Sequence, residues 1–170
     1  NPQTGEQHGA RTPDPATFTS WEDLLEAYAA QVAFFTNKIE QLERINLELC
    51  EKYCPRPFYS AVVQGCIETG KESRKWVYPS MIHHFAQVIG GTNVADAITA
   101  VKKVVFEDRM ITLLDLIEIM NRNWEGREDI RQACLHAPKY GNDDDYADTI
   151  AAIVQRRGEE AMETVKDRYG

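Results

Sequence analysis

Apolar residues recur at Trp21, Leu25, Tyr28, Val32, Phe35, Ile39, Leu42, Leu49 and Tyr53, with Asn46 as the single polar interruption. Steps of three and four trace one face of an α-helix. No glycine or proline falls between Ala16 and Cys54. Ser20 stands where an N-cap belongs, Glu22 and Asp23 suit the positive end of the helix dipole, and Pro55 and Pro57 stop the run. The pattern predicts one helix over 18–54, about 50 Å long at 1.5 Å per residue. That is long for a small globule and suggests a strut packed along something larger. Residues 1–17 hold three of the seven prolines and two of the ten glycines, and read as an extended lead-in.

Beyond the strut the pattern shortens. Phe58 to Thr69 is a brief apolar stretch ended by Gly70, and residues 70–75 read as an exposed turn. Gly90-Gly91-Thr92-Asn93 breaks the chain, with Thr92 or Asn93 as the natural N-cap of the next helix. The stripe Val94, Ile98, Val101, Val105 predicts that helix, the second clear one. Thr112 paired with Asp115 predicts the start of a third, through Leu113, Leu116, Ile117 and Met120. Gly126 separates it from a short helix carrying Ile130, Cys134 and Ala137, which Pro138 ends. After the polar turn 138–145 comes a last helix over 146–168, with Ile150, Ile153, Val154, Met162 and Val165. No stretch alternates with period two and no internal repeat is visible. The chain reads as mostly α, in the order lead-in 1–17, long helix 18–54, short helices and loops 55–91, helices 92–137, turn 138–145 and final helix 146–168.

Composition narrows the functional classes. At 170 residues, with 19 basic against 27 acidic side chains, the chain is one domain's length and carries net charge −8. That balance argues against a nucleic-acid partner, which needs a Lys/Arg surplus. No apolar run approaches the roughly 20 residues of a membrane span, and no signal-peptide pattern is present. Asn1 is not an initiating methionine, so a processed or excerpted chain is expected.

The four cysteines, Cys50, Cys54, Cys66 and Cys134, lack the second ligand pair a zinc site wants, and no metal is expected. They read as reduced thiols serving as small core residues. His83 and His84 titrate near neutrality but are adjacent, so on a helix they diverge by about 100° and cannot easily chelate together. Asp143-Asp144-Asp145 lacks the alternating ligands and closing glutamate of a calcium loop and directly precedes a good helix, so capping is the expected role. Gly90-Gly91-Thr92-Asn93 can offer free N–H groups to an anion, but no Gly-Lys-Ser/Thr comes after it. No complete active site emerges from the residues, and no catalytic residue is assigned.

Several phrases, read in order, resemble the glycyl radical enzymes, specifically the pyruvate formate-lyase-like domain. They begin with Asn1-Pro2-Gln3-Thr4-Gly5 and Pro13-Asp14-Pro15-Ala16-Thr17-Phe18-Thr19-Ser20-Trp21-Glu22. Pro57-Phe58-Tyr59-Ser60 and Gly65-Cys66-Ile67-Glu68-Thr69-Gly70-Lys71 come next. Asn93-Val94-Ala95-Asp96-Ala97, Lys102-Lys103-Val104-Val105 and Asn123-Trp124-Glu125-Gly126 continue the series, and Pro138-Lys139-Tyr140-Gly141-Asn142-Asp143-Asp144 is its most specific member.

The resemblance implies a segment of a larger lyase folded as a ten-stranded α/β barrel surrounded by helices. Two loops meet at the centre of such a barrel: one carries a thiyl-forming cysteine, the other the glycine that stores the radical. Gly65-Cys66-Ile67-Glu68 has the Gly-Cys-x-Glu form of that cysteine's context but falls in a different phrase, and Cys50, Cys54 and Cys134 lack the form, so this chain is expected to lie between the two loops and to carry no cofactor. The implied partners are the rest of the barrel, a radical-SAM activating enzyme with an iron–sulfur cluster and a second copy in a homodimer, in an anaerobic cytoplasm. Many relatives have a glycine-rich stretch ending Tyr-Asn where this chain has Ser73-Arg74-Lys75-Trp76-Val77-Tyr78-Pro79 and Met81-Ile82-His83-His84-Phe85. From this departure, His83, His84, Thr92 and Asn93, with Trp76 and Tyr78 close by, are expected to approach the substrate pocket and to suit an aryl or arylacetate substrate. The alternative is a non-catalytic helical scaffold or interaction module derived from the same family. Isolated from a barrel, the chain is expected to expose the Trp21–Tyr53 stripe and self-associate.

Overall fold

A computed structural model describes residues 3–74 and 89–166. Every regular element among them is helical: α1 Trp21–Tyr53, α2 Pro57–Val62, α3 Cys66–Thr69, α4 Gly91–Val101, α5 Leu113–Asn121, α6 Glu128–His136 and α7 Asp145–Glu163. No helix among the described residues is long and apolar enough to cross a membrane. The chain divides into two compact units, Asn1–Phe35 with Val88–Thr164, and Thr36–Gln87 with Val165–Gly170.

In the first unit the opening turns of α1 pack with α4 and α7. Leu25, Ala95, Ile98, Ile150 and Val154 form one buried cluster, flanked by Trp21, Tyr28 and Tyr146. The α7 face that lies there (Ala147, Ile150, Val154, Gly158, Ala161) steps by three and four residues and is buried throughout. Gly158 admits Tyr28: a Cβ built on it would lie 3.0 Å from the tyrosine Oη. Glu26 of α1 and Arg157 of α7 form an ion pair at the edge of the contact. The Lys102 ammonium lies between the rings of Trp21 and Tyr146, 4.9 and 4.7 Å from their centroids, and 3.4 Å from Glu107 Oε1. The lead-in is tied down as well, because the Gln31 carboxamide both accepts from Ala10 N and donates to Ala10 O.

The α4 stripe does not continue with α-helical period to Val105. Lys102–Glu107 is a π-helical turn, closed by Asp108 N donating to Lys103 O at 2.9 Å. The wider turn brings Val104 and Val105 inward together, and with Leu116 and Ile130 they make a second buried cluster. Helix ends obey local chemistry. Asp23 Oδ2 reaches back to the N–H groups of Thr19 and Ser20, Thr112 Oγ1 accepts from Asp115 N, and Asp144 Oδ1 accepts from Tyr146 N. Asp144 thus acts as the cap that the acidic run suggested. Several boundaries differ from the sequence expectation, and α1 itself runs Trp21–Tyr53 and not 18–54. Helix α7 ends at Glu163 rather than 168, its last turn closed by the Thr164 hydroxyl donating to Ala161 O. The cap of α4 is Gly90, at φ 83°, and not Thr92 or Asn93: only a residue free of a Cβ takes that left-handed conformation cheaply, and the helix starts at Gly91.

The second unit holds the later part of α1 with α2 and α3. The turn at 70–75, expected to be exposed, is pinned as far as Arg74. Ser73 is buried and its N–H donates to Ser60 Oγ, while Glu72 accepts from the N–H groups of Arg56 and Arg74. The Arg74 guanidinium donates to Cys50 O and Cys54 O, closing the carbonyl end of α1. Partial burial pushes the Glu72 carboxyl up, but its hydrogen bonds to Arg74, Arg56 and Ser73 and the Arg74 charge outweigh this and hold it below the ordinary value. A lowered folded pKa stabilises the folded form above the ordinary glutamate value of about 4.3, and that contribution disappears as pH falls through the folded value. Amide protection factors at Arg56 and Arg74 are therefore expected to drop in acid. In Glu72→Gln they should be low already and insensitive to pH; an unchanged acid profile in that variant would remove Glu72 from the clasp.

Candidate functional site

The first turn of α4 carries Thr92 and Asn93, both exposed, with no acidic side chain of its own in that turn. Its leading N–H groups have no partner within the helix and carry the positive end of the helix dipole. Asn93, Asp96, Ala97 and Ala100 succeed one another at helical spacing along one face. The last three line a cleft of about 250 Å³ together with Trp124, Arg131, Cys134, Leu135 and Lys139.

The cleft is built by polar ties around an apolar floor. Asp96 Oδ1 accepts from Tyr140 N at 2.9 Å, and Asp148 Oδ1 accepts from Gly141 N at 3.3 Å, so two carboxylates from α4 and α7 hold the turn after Pro138. Lys139 Nζ donates to Cys134 O and Ala137 O, which closes the C-terminal end of α6. Trp124 sits at φ 65°, a conformation costly for a bulky residue, and its N–H donates to Ile119 O at 2.9 Å. The indole packs on the second core cluster, which helps to hold the turn in place.

Burial, reinforced by Glu72 and Glu68, pushes the Cys66 thiol up; burial also raises Cys134, with Lys139 opposing. Among the described residues, no group of three or more His, Cys, Asp and Glu side chains stands ready to hold a metal ion. Of the six expected pocket residues, Trp76, Tyr78, His83 and His84 lie outside the described residues, and Thr92 and Asn93 begin the α4 face. Reading the residues singly missed Asp96, Trp124 and Lys139. The signal was present, because each belongs to a different one of the ordered phrases, and the fold brings those three phrases to one cleft.

These features define a helical packing module in which Asp96, Lys139 and Asp144 serve as capping and turn-holding residues. The family model for "pyruvate formate lyase-like" proteins matches residues 1–170, and the chain belongs to that family. It is 36% identical over 144 residues to the isethionate sulfite-lyase of Nitratidesulfovibrio vulgaris, covering 84% of this chain and 17% of that protein. It is also 36% identical over 152 residues to the trans-4-hydroxy-L-proline dehydratase of Clostridioides difficile, covering 88% of this chain and 19% of that one. The glycerol-bound B12-independent glycerol dehydratase of Clostridium butyricum superposes with a TM-score of 0.85 at 26% identity, over 96% of this chain and 21% of that one. The chain thus spans about a fifth of the length of the relatives it matches.

Proposed function

We propose that this chain is a segment of a glycyl radical lyase. In such an enzyme a thiyl radical abstracts hydrogen from the substrate, and elimination, decarboxylation or C–C bond chemistry ensues. The supporting observation is the match over the whole chain to the family, with relatives named as a sulfite-lyase and as dehydratases. Those names favour elimination of a small group among the three chemistries. The segment packs around a ten-stranded barrel that other parts of the polypeptide complete, and it supplies one wall of the pocket through His83, His84, Thr92 and Asn93, with Trp76 and Tyr78 beside them. The enzyme carries a glycyl radical installed by a radical-SAM activase, works as a homodimer and operates in an anaerobic cytoplasm.

The test is anaerobic activation of the full-length polypeptide with a radical-SAM activase, then electron paramagnetic resonance and turnover of isethionate, hydroxyproline, glycerol and an arylacetate. An organic radical signal with turnover is expected; release of sulfite or water from one of the first three supports elimination, whereas loss of carbon dioxide from the arylacetate assigns decarboxylation, which the aromatic and imidazole side chains at 76–84 would suit. Absence of the radical in an activated sample would favour a non-catalytic scaffold. In the same enzyme Asn93→Ala and His84→Ala are each expected to lower kcat/KM about 2–10-fold, the worth of one neutral hydrogen bond. Unchanged kinetics would take both residues out of the pocket.

A further inference from the structure

Helix α4 and the π-turn that prolongs it carry two registers in one sequence. The apolar stripe Val94, Ile98, Val101, Val105 has α period, so Ile98 and Val105, about two full α-turns apart, would share a face. In the structure they serve different clusters. Ile98 is buried with Leu25, Ile150 and Val154, and Val105 with Val104, Leu116 and Ile130. The π-turn Lys102–Glu107 makes the difference, and the chain leaves it through Arg109 at φ 51°, a left-handed conformation uncommon outside glycine. Such turns are rare, so side chains must supply what the backbone alone does not.

Charged side chains supply it. Lys102 Nζ lies 3.4 Å from Glu107 Oε1, and Lys103 Nζ lies 2.9 Å from Asp108 Oδ1. Both pairs span five residues. In an α-helix residues five apart point about 140° away from each other, so neither pair is made of neighbours there. In a π-turn the N–H of the fifth residue reaches back to the first, as Asp108 N does to Lys103 O, and the two side chains stand one above the other. The contact of Lys103 with Glu107, at 3.8 Å, spans four residues and fits either register. Lys102 is held a second time, between the rings of Trp21 on α1 and Tyr146 on α7.

We infer that the Lys102–Glu107 and Lys103–Asp108 pairs form a charge lock, which holds 102–108 in the π register against the α register encoded by the apolar stripe. The segment is a two-register joint between the two clusters, and charge decides its setting. In the α setting Val105 turns back to the Ile98 face and leaves the second cluster, while Asp108 N gives up Lys103 O for Val104 O. The side chains of the lock are 20–42% exposed, so bulk salt reaches them and weakens it. The inference concerns the register of this chain alone and does not depend on the lyase reading.

The experiment uses the full-length polypeptide with Lys102→Met/Asp108→Asn, which removes both five-residue attractions and keeps an unbranched stem between the two rings. Its crystal structure is expected to show Asp108 N donating to Val104 O and Val105 turned to the Ile98 face. Hydrogen exchange over 102–110, followed by mass spectrometry, is expected to run about 3–10-fold faster than in the parent, with 147–154 of α7 unchanged. Lys102→Arg/Asp108→Glu keeps both charges and is expected to keep the π-turn and the parent rate. A Lys102→Met/Asp108→Asn variant that keeps the Asp108–Lys103 hydrogen bond, or exchanges at the parent rate, would overturn the inference. Loss of the π-turn in the charge-preserving variant would do the same. If the uncharged variant does not fold, the unsubstituted protein decides. Raising salt from about 0.05 M to about 1 M is expected to speed exchange over 102–110 relative to 147–154, and an unchanged ratio would sink the lock.

Discussion

Replacing Ile150 by alanine is expected to cost about 2–5 kcal/mol of the first unit's stability, the range for truncating a buried isoleucine. Ile150 is 2% exposed and belongs to the cluster that joins α7 to α1 and α4. Removing its outer carbons leaves a cavity bounded by Leu25, Ile98 and Val154, none of which can close it without moving a helix. The control is Ile67→Ala, because Ile67 is 72% exposed and its truncation removes little packing. Urea unfolding monitored by circular dichroism checks both. Equal midpoints for the two variants would mean that the α1, α4 and α7 cluster does not carry the unit.

The second large effect comes from Gly158. Leucine there must push aside the Tyr28 ring, because even a Cβ would sit 3.0 Å from its hydroxyl in a buried contact. Overpacking of this kind costs about 1–3 kcal/mol. Gly158→Ala is the informative comparison: helix propensity returns about 1 kcal/mol, which offsets a contact that Tyr28 relieves by shifting a few tenths of an ångström. The alanine variant is therefore expected near the parent midpoint and the leucine variant well below it. If leucine matched alanine, the approach of Tyr28 would not be what requires glycine.

Much of the candidate site was readable in part. The capping roles of Thr112 and Asp144 came from short-range chemistry, since a side-chain oxygen two or three residues from a free N–H has few other partners. The turn at 70–74 was misread because its charges suggested solvent. Glu72 and Arg74 instead satisfy backbone groups brought near by folding, including carbonyls 20 and 24 residues away. The ordered phrases contain Asp96, Trp124 and Lys139, but that they meet in one cleft could not be read from spacing: the tie of Asp96 to Tyr140 spans 44 residues, and no local pattern announces such a pairing.

The sequence by itself determined the helical class, the course of α1, the caps at Thr112 and Asp144, and the family, because each rests on periodicity, neighbouring side chains or ordered phrases. Only the tertiary structure decided which parts of one continuously spaced stripe are covered. It placed Trp21 to Tyr28 in a core and left Ile39 to Tyr53 outside, although spacing and residue types are the same. Periodicity tells which face of a helix wants to be buried; what buries it depends on elements distant in the chain, and sequence spacing carries no record of them.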